Sequence, residues 1–200
     1  MNAWFQANAI VGAGRGALIS AMFGAGWLGW GLGNANAFNG FVAPAFGFTA
    51  LFLFAFSIYF LRKGRLLRKR RATAEASSRQ TSSKWFLLVA LVEALGIALV
   101  LFLAKRLDRA DLATDWCAMV VGLHFLPLAK IFRAPHFSVL GILIIFWCVL
   151  SWTLLHPSSI AISASLGTGI LLWGNCIFSL FRAQGIANSI RTDLWSSRAV

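Results

Sequence analysis

Trp85-Phe86-Leu87-Leu88-Val89-Ala90-Leu91-Val92-Glu93-Ala94-Leu95-Gly96-Ile97-Ala98-Leu99-Val100-Leu101-Phe102-Leu103-Ala104 is an apolar run broken by one ionisable side chain, Glu93. A helix needs about 20 such residues to cross a hydrocarbon core roughly 30 Å thick. Barrel strands are about half as long and alternate in polarity, which this run does not. The stretch therefore predicts a transmembrane helix. Five more runs repeat the pattern, at 16–33, 41–61, 112–131, 137–155 and 160–181. The expected fold is all-α: one polytopic domain over 1–200 with six transmembrane helices in a single bundle.

Composition agrees. The 200 residues are 59% hydrophobic and 12% charged, about half the charge of an average soluble chain, and the mean hydropathy is +0.76. These values exclude a soluble enzyme, a disordered tail, a disulfide scaffold and a free nucleic-acid-binding domain. Of the 18 basic residues, all but Lys105, Arg106 and Arg109 fall on one side when six spans alternate. Lys and Arg are retained in the cytoplasm, so both termini are expected there.

The 62–84 loop opens with Arg62, Lys63, Arg65, Arg68, Lys69, Arg70 and Arg71. Directly after a span, such a cluster suits anionic lipid headgroups at about 1 kcal/mol per charge. It also fixes topology, and nothing around it reads nucleic-acid bases. Ser and Thr in 74–83 offer phosphorylation sites that would weaken lipid contact. In the 182–200 tail, Ile186, Ile190 and Leu194 recur at i, i+4 and i+8, a pattern suited to an interfacial helix.

Ala35-Asn36-Ala37 fits a small-x-small cleavage site, but Ala17, Ala21, Ala25, Gly29 and Gly33 form a small-residue stripe. Such stripes let helix backbones approach in lipid. The first span is read as a retained packing helix, and the stripe could serve either its own bundle or a homo-oligomer. Gly12-Ala13-Gly14-Arg15-Gly16-Ala17 matches a dinucleotide pattern, yet it lacks the preceding strand and the acid about 20 residues on. The match is accidental.

Intramembrane ionisable groups mark function by default, because a charge there costs at least about 2.5–3.5 kcal/mol. Glu93 in the third span and His124 in the fourth lie within about 3 Å of each other in depth, so an antiparallel hairpin would bring them together. Pro127 cannot donate its N–H and displaces the carbonyl of Leu123, the kind of feature found at ion sites in broken helices. Asn175 in the sixth span lies near the same depth, on a face shared with Ser165, Thr168 and Ser179. Glu93, His124, the Leu123 carbonyl beside Pro127, and Asn175 are thus the candidate ion, proton or substrate site. A Glu–His pair that only locks two helices together is the competing reading.

Asp108, Asp111 and Asp115 stand before or at the start of the fourth span, where acids suit a helix N-terminus. They could also draw cations to that mouth. Cys117, Cys148 and Cys176 lack paired spacing and read as packing residues. No hydrolase triad, zinc motif or phosphate loop occurs, so neither a metal nor a cofactor is expected, and catalysis is the weaker alternative.

Residues 121–137 contain Gly122, His124, Phe125, Pro127, Leu128, Ala129 and Phe132. They resemble a G-x-H-F-x-P-L-A-x-x-F segment of small, uncharacterised bacterial multi-pass membrane proteins. The resemblance implies a bacterial inner-membrane location and carries no activity. The sequence points first to a small proton- or cation-coupled transporter or channel. The alternative is a non-catalytic accessory, sensor or assembly subunit.

Overall fold

The computed structural model describes the backbone of residues 3–69, 79–132 and 134–196, and the side chains of 6–67, 85–132 and 134–189. Among these residues the chain is helical and contains no strand. The elements are α1 (Ala3–Asn34), α2 (Val42–Lys69), α3 (Arg79–Arg106), α4 (Ala113–Phe132), α5 (His136–Leu154) and α6 (Pro157–Ser196), with a 3-10 turn at Ala110–Leu112. Each of the six helices carries a segment long and apolar enough to cross a membrane: Gln6–Asn34, Val42–Leu67, Trp85–Arg106, Ala110–Phe132, His136–Leu154 and Pro157–Ser189. The architecture is the all-α, six-span one that the hydropathy predicts. In lipid a helix satisfies its own backbone hydrogen bonds, which is why apolar length alone predicts it.

Two helices outrun their expected ends. α1 begins at Ala3 rather than at 16, because its buried face continues upstream through Ala7, Ile10 and Gly14. α6 is one helix of 40 residues, about 60 Å long, where a span ending at 181 and a separate tail helix were expected. No proline interrupts it after Pro157, and Ala183 and Ala187 carry the same packed face onward. The side chains of Ile190, Arg191 and Leu194 lie outside the described residues.

The chain forms two compact units. The first contains α1 to Ala25, α2, and α6 from Leu172. Its core joins Ile10, Ala17 and Ala21 of α1, Leu53 and Phe60 of α2, and Cys176, Leu180, Ala183 and Ala187 of α6. Small side chains at these contacts let helix backbones approach closely. At the α1–α2 crossing, a Cβ on Gly14 would stand 2.9 Å from the Leu61 nitrogen, and one on Gly64 equally close to the Val11 nitrogen. Gly14, part of the accidental nucleotide match, is therefore a packing residue.

The predicted stripe on α1 departs from the buried face as it proceeds. Ala17 and Ala21 are buried in the chain's own core, Ala25 and Gly29 are half-buried, and Gly33 is exposed. A four-residue step overshoots a helical turn by about 40°. The face that packs instead follows a heptad: Ala7, Ile10, Gly14, Ala17, Ala21, Gly24, Leu28 and Gly31.

The second unit contains Gly26–Asn39, α3, α4, α5, and α6 up to Leu171. Here α4 lies antiparallel between α3 and α5. Its tightest contact is with α5, where a Cβ on Gly122 would sit 3.1 Å from the Gly141 carbonyl oxygen. α5 meets α6 through polar groups: Ser151 and Ser163 share a hydrogen bond of 2.8 Å, and Trp147 Nε1 donates to the Ser163 carbonyl at 2.9 Å.

Candidate functional site

Three contacts set the α3–α4 register. The rings of Phe86 and Phe132 lie 5.9 Å apart, Glu93 faces His124, and a Cβ on Gly96 would touch Val120 at 3.0 Å. As the contacts advance along α3 they retreat along α4, seven residues against eight and then three against four, as in an antiparallel hairpin. On α3 the partly covered residues are Val89, Ala90, Glu93, Gly96, Ile97 and Val100, a helical stripe with Glu93 near its middle. Between these positions the helix surface is apolar and open, with Leu91, Val92, Leu95 and Leu99 all more than half exposed.

Glu93 Oε1 stands 3.2 Å from His124 Nδ1. That is ion-pair distance, but the approach is oblique, and Nδ1 makes no aligned hydrogen bond. The two side chains retain 19% and 14% of their exposure respectively. The pair lies in the α3–α4 seam, with part of each side chain uncovered by protein while Nδ1 itself is buried. Chemically, an acid beside an imidazole can hold a proton on either partner.

The other expected members have surroundings of their own. α4 remains helical through Pro127, which leaves the Leu123 carbonyl without its usual donor four residues on. The Leu123 and Pro127 side chains are both exposed. Asn175 belongs to the first unit, where its Nδ2 donates to Ser20 Oγ at 2.8 Å and the residue is buried. Its amide thus already has a buried partner on α1. Comparison with known proteins finds no matching family model, curated protein or solved structure.

The basic cluster begins inside α2. Arg62 and Arg65 are exposed, and Lys63 is half-buried with its Nζ 5.6 Å from the Tyr59 ring centre. Cations in the last turns of a helix also suit its dipole. The side chains of Arg68 and Lys69, and the whole of Arg70, Arg71 and Arg133, lie outside the described residues.

Asp115 departs most from the sequence reading. Expected as a helix-start acid at an open mouth, it is 0% exposed, and neither carboxylate oxygen has a hydrogen-bond partner. The clue was periodicity. Asp115, Ala118, Gly122, Phe125 and Ala129 recur at helical spacing, and all five are buried. The acid occupies a position on the packed face of α4, within its first turn.

Proposed function

We propose that this membrane protein is a small proton- or cation-coupled transporter or channel in which Glu93 and His124 handle the coupling ion. The observation that carries the reading is their 3.2 Å contact with part of each side chain still accessible. Glu93 lies eight residues inside the span that begins at Trp85, about 12 Å from that end. A titratable pair at that depth is costly to keep, and a pair partly uncovered by protein suits exchange better than a sealed clasp. The proposed setting is a bacterial inner membrane with both termini cytoplasmic, supported by the distribution of basic residues and by the resemblance of residues 121–137. Arg62, Lys63 and Arg65, with the basic residues that follow, would then meet anionic headgroups.

The test is proton flux into vesicles that enclose a pH-sensitive dye and carry the reconstituted full chain, driven by a potassium diffusion potential. Wild type is expected to acidify the lumen faster than protein-free vesicles, and Glu93→Gln is expected to abolish the difference while remaining folded. Flux equal to protein-free vesicles, or undiminished in Glu93→Gln, overturns the assignment. The accessory-subunit reading predicts no flux, with loss of thermal stability as the main effect of the substitution.

A further inference from the structure

Among the described residues Asp115 is the only acid enclosed by protein, at 0% exposure. The close crossing of Gly122 on Gly141 sets its surroundings. In that antiparallel register, Asp115, seven residues before Gly122, lies opposite Cys148, seven residues after Gly141. The Cys148 thiol is itself fully buried. It sits beside the carboxyl without strict hydrogen-bond geometry.

No cation compensates the acid among the described residues. Lys105 and Arg106 at the end of α3 are exposed, and Arg106 lies over the Phe102 ring. Arg109 pairs with Asp111 at 3.2 Å. His156 shares a hydrogen bond with Ser158. On α4 the other titratable neighbour is Cys117, also buried. Residues 157–171 of α6 and Gly26–Asn39 contribute no Asp, Glu, Lys, Arg, His or Cys.

A carboxylate so enclosed cannot keep its charge without a bound positive partner. A hard metal ion needs about six oxygen ligands. Here the Cys148 thiol is the side chain beside the carboxyl, and no three His, Cys, Asp or Glu side chains gather among the described residues. The remaining partner is a proton. Its route outward is short, since Ala113 and Thr114 are only half-buried and Asp111 is exposed.

We propose that Asp115 is a proton-binding site between α4 and α5, a neutral carboxylic acid held against Cys148 that exchanges its proton through the start of α4. It stands nine residues, about 14 Å, from His124 along one helix. The site rests on its own geometry and does not depend on the reading of Glu93 and His124.

The test is infrared spectroscopy of the full chain in lipid bilayers, with aspartate labelled by carbon-13 at the side-chain carboxyl. Glutamate stays unlabelled, so the state of Glu93 does not enter, and the labelled positions are Asp108, Asp111, Asp115 and Asp193. At neutral pH a labelled neutral-acid C=O band is expected. It should shift in heavy water and be missing from Asp115→Asn. In Asp115→Glu, which keeps a carboxyl, the band should lose its isotope shift, so a failure of the first variant to fold leaves the test intact. Four outcomes overturn the proposal: only ionised-carboxylate bands; a neutral band that survives both substitutions; a band that sodium or calcium removes at constant ionic strength; or a band that never responds to heavy water.

Discussion

A double-mutant cycle on Glu93 and His124 separates an ion-handling pair from a structural clasp. The variants are Glu93→Gln, His124→Gln and their combination, each compared with wild type by equilibrium unfolding in mixed micelles. A sealed pair, broken by removing one partner, costs about 3–5 kcal/mol, because the survivor is left buried and uncompensated. This pair is different. Its 3.2 Å contact is not an aligned hydrogen bond, and each side chain keeps part of its surface uncovered by protein, so the survivor is not locked inside a closed core. Polar contacts between transmembrane helices average about 0.6 kcal/mol and reach about 1.7. The expected coupling energy is therefore about 0.5–1.5 kcal/mol, with each single variant folded. Neighbouring side chains normally couple in this range, and the cycle removes effects that each substitution has alone. A coupling above about 3 kcal/mol would refute the reasoning. It would mean the seam closes over the pair, and that Glu93 and His124 exist to hold α3 on α4.

Two further predictions concern the packing around the sites. Gly141→Ala brings a Cβ against the carbonyl oxygen of Gly122, a backbone atom that cannot rotate away, so a loss of about 1–3 kcal/mol is expected. Gly174→Ala, where a Cβ would meet nothing within 4 Å, should be neutral or stabilise by up to about 1 kcal/mol; equal melting shifts for the two variants would contradict the crossing. Asn175→Ala removes the donor to Ser20 Oγ and should cost about 0.6–1.7 kcal/mol while leaving vesicle proton flux unchanged. Loss of flux without loss of stability would return Asn175 to the ion pathway.

Depth was legible in the sequence, and facing was not. Glu93 and His124 could be matched because both helices rise by the same increment per residue and their boundaries are marked by charge. Asn175 met the same depth criterion, yet its amide meets Ser20 on α1. Depth leaves open which helix a given face will meet. Asp115 shows the reverse error. Its place near the start of α4 suggested an exposed acid, whereas its alignment with Gly122 and Phe125 on the packed face decided its burial.

The apolar runs by themselves determined the helical class and the six spans, because a membrane interior tolerates no unsatisfied backbone and so converts local hydropathy directly into helix. Everything that depended on which side chains meet was decided by tertiary packing. That includes the heptad face of α1 in place of its predicted stripe, the unbroken length of α6, and the burial of Asp115 opposite Cys148. In lipid, helices are not sorted by hydrophobicity, since tails are as apolar as leucine. Close approach at residues such as Gly14, Gly64, Gly122 and Gly141 then chooses the partners, and those approaches are properties of pairs of helices that no single stretch of sequence contains.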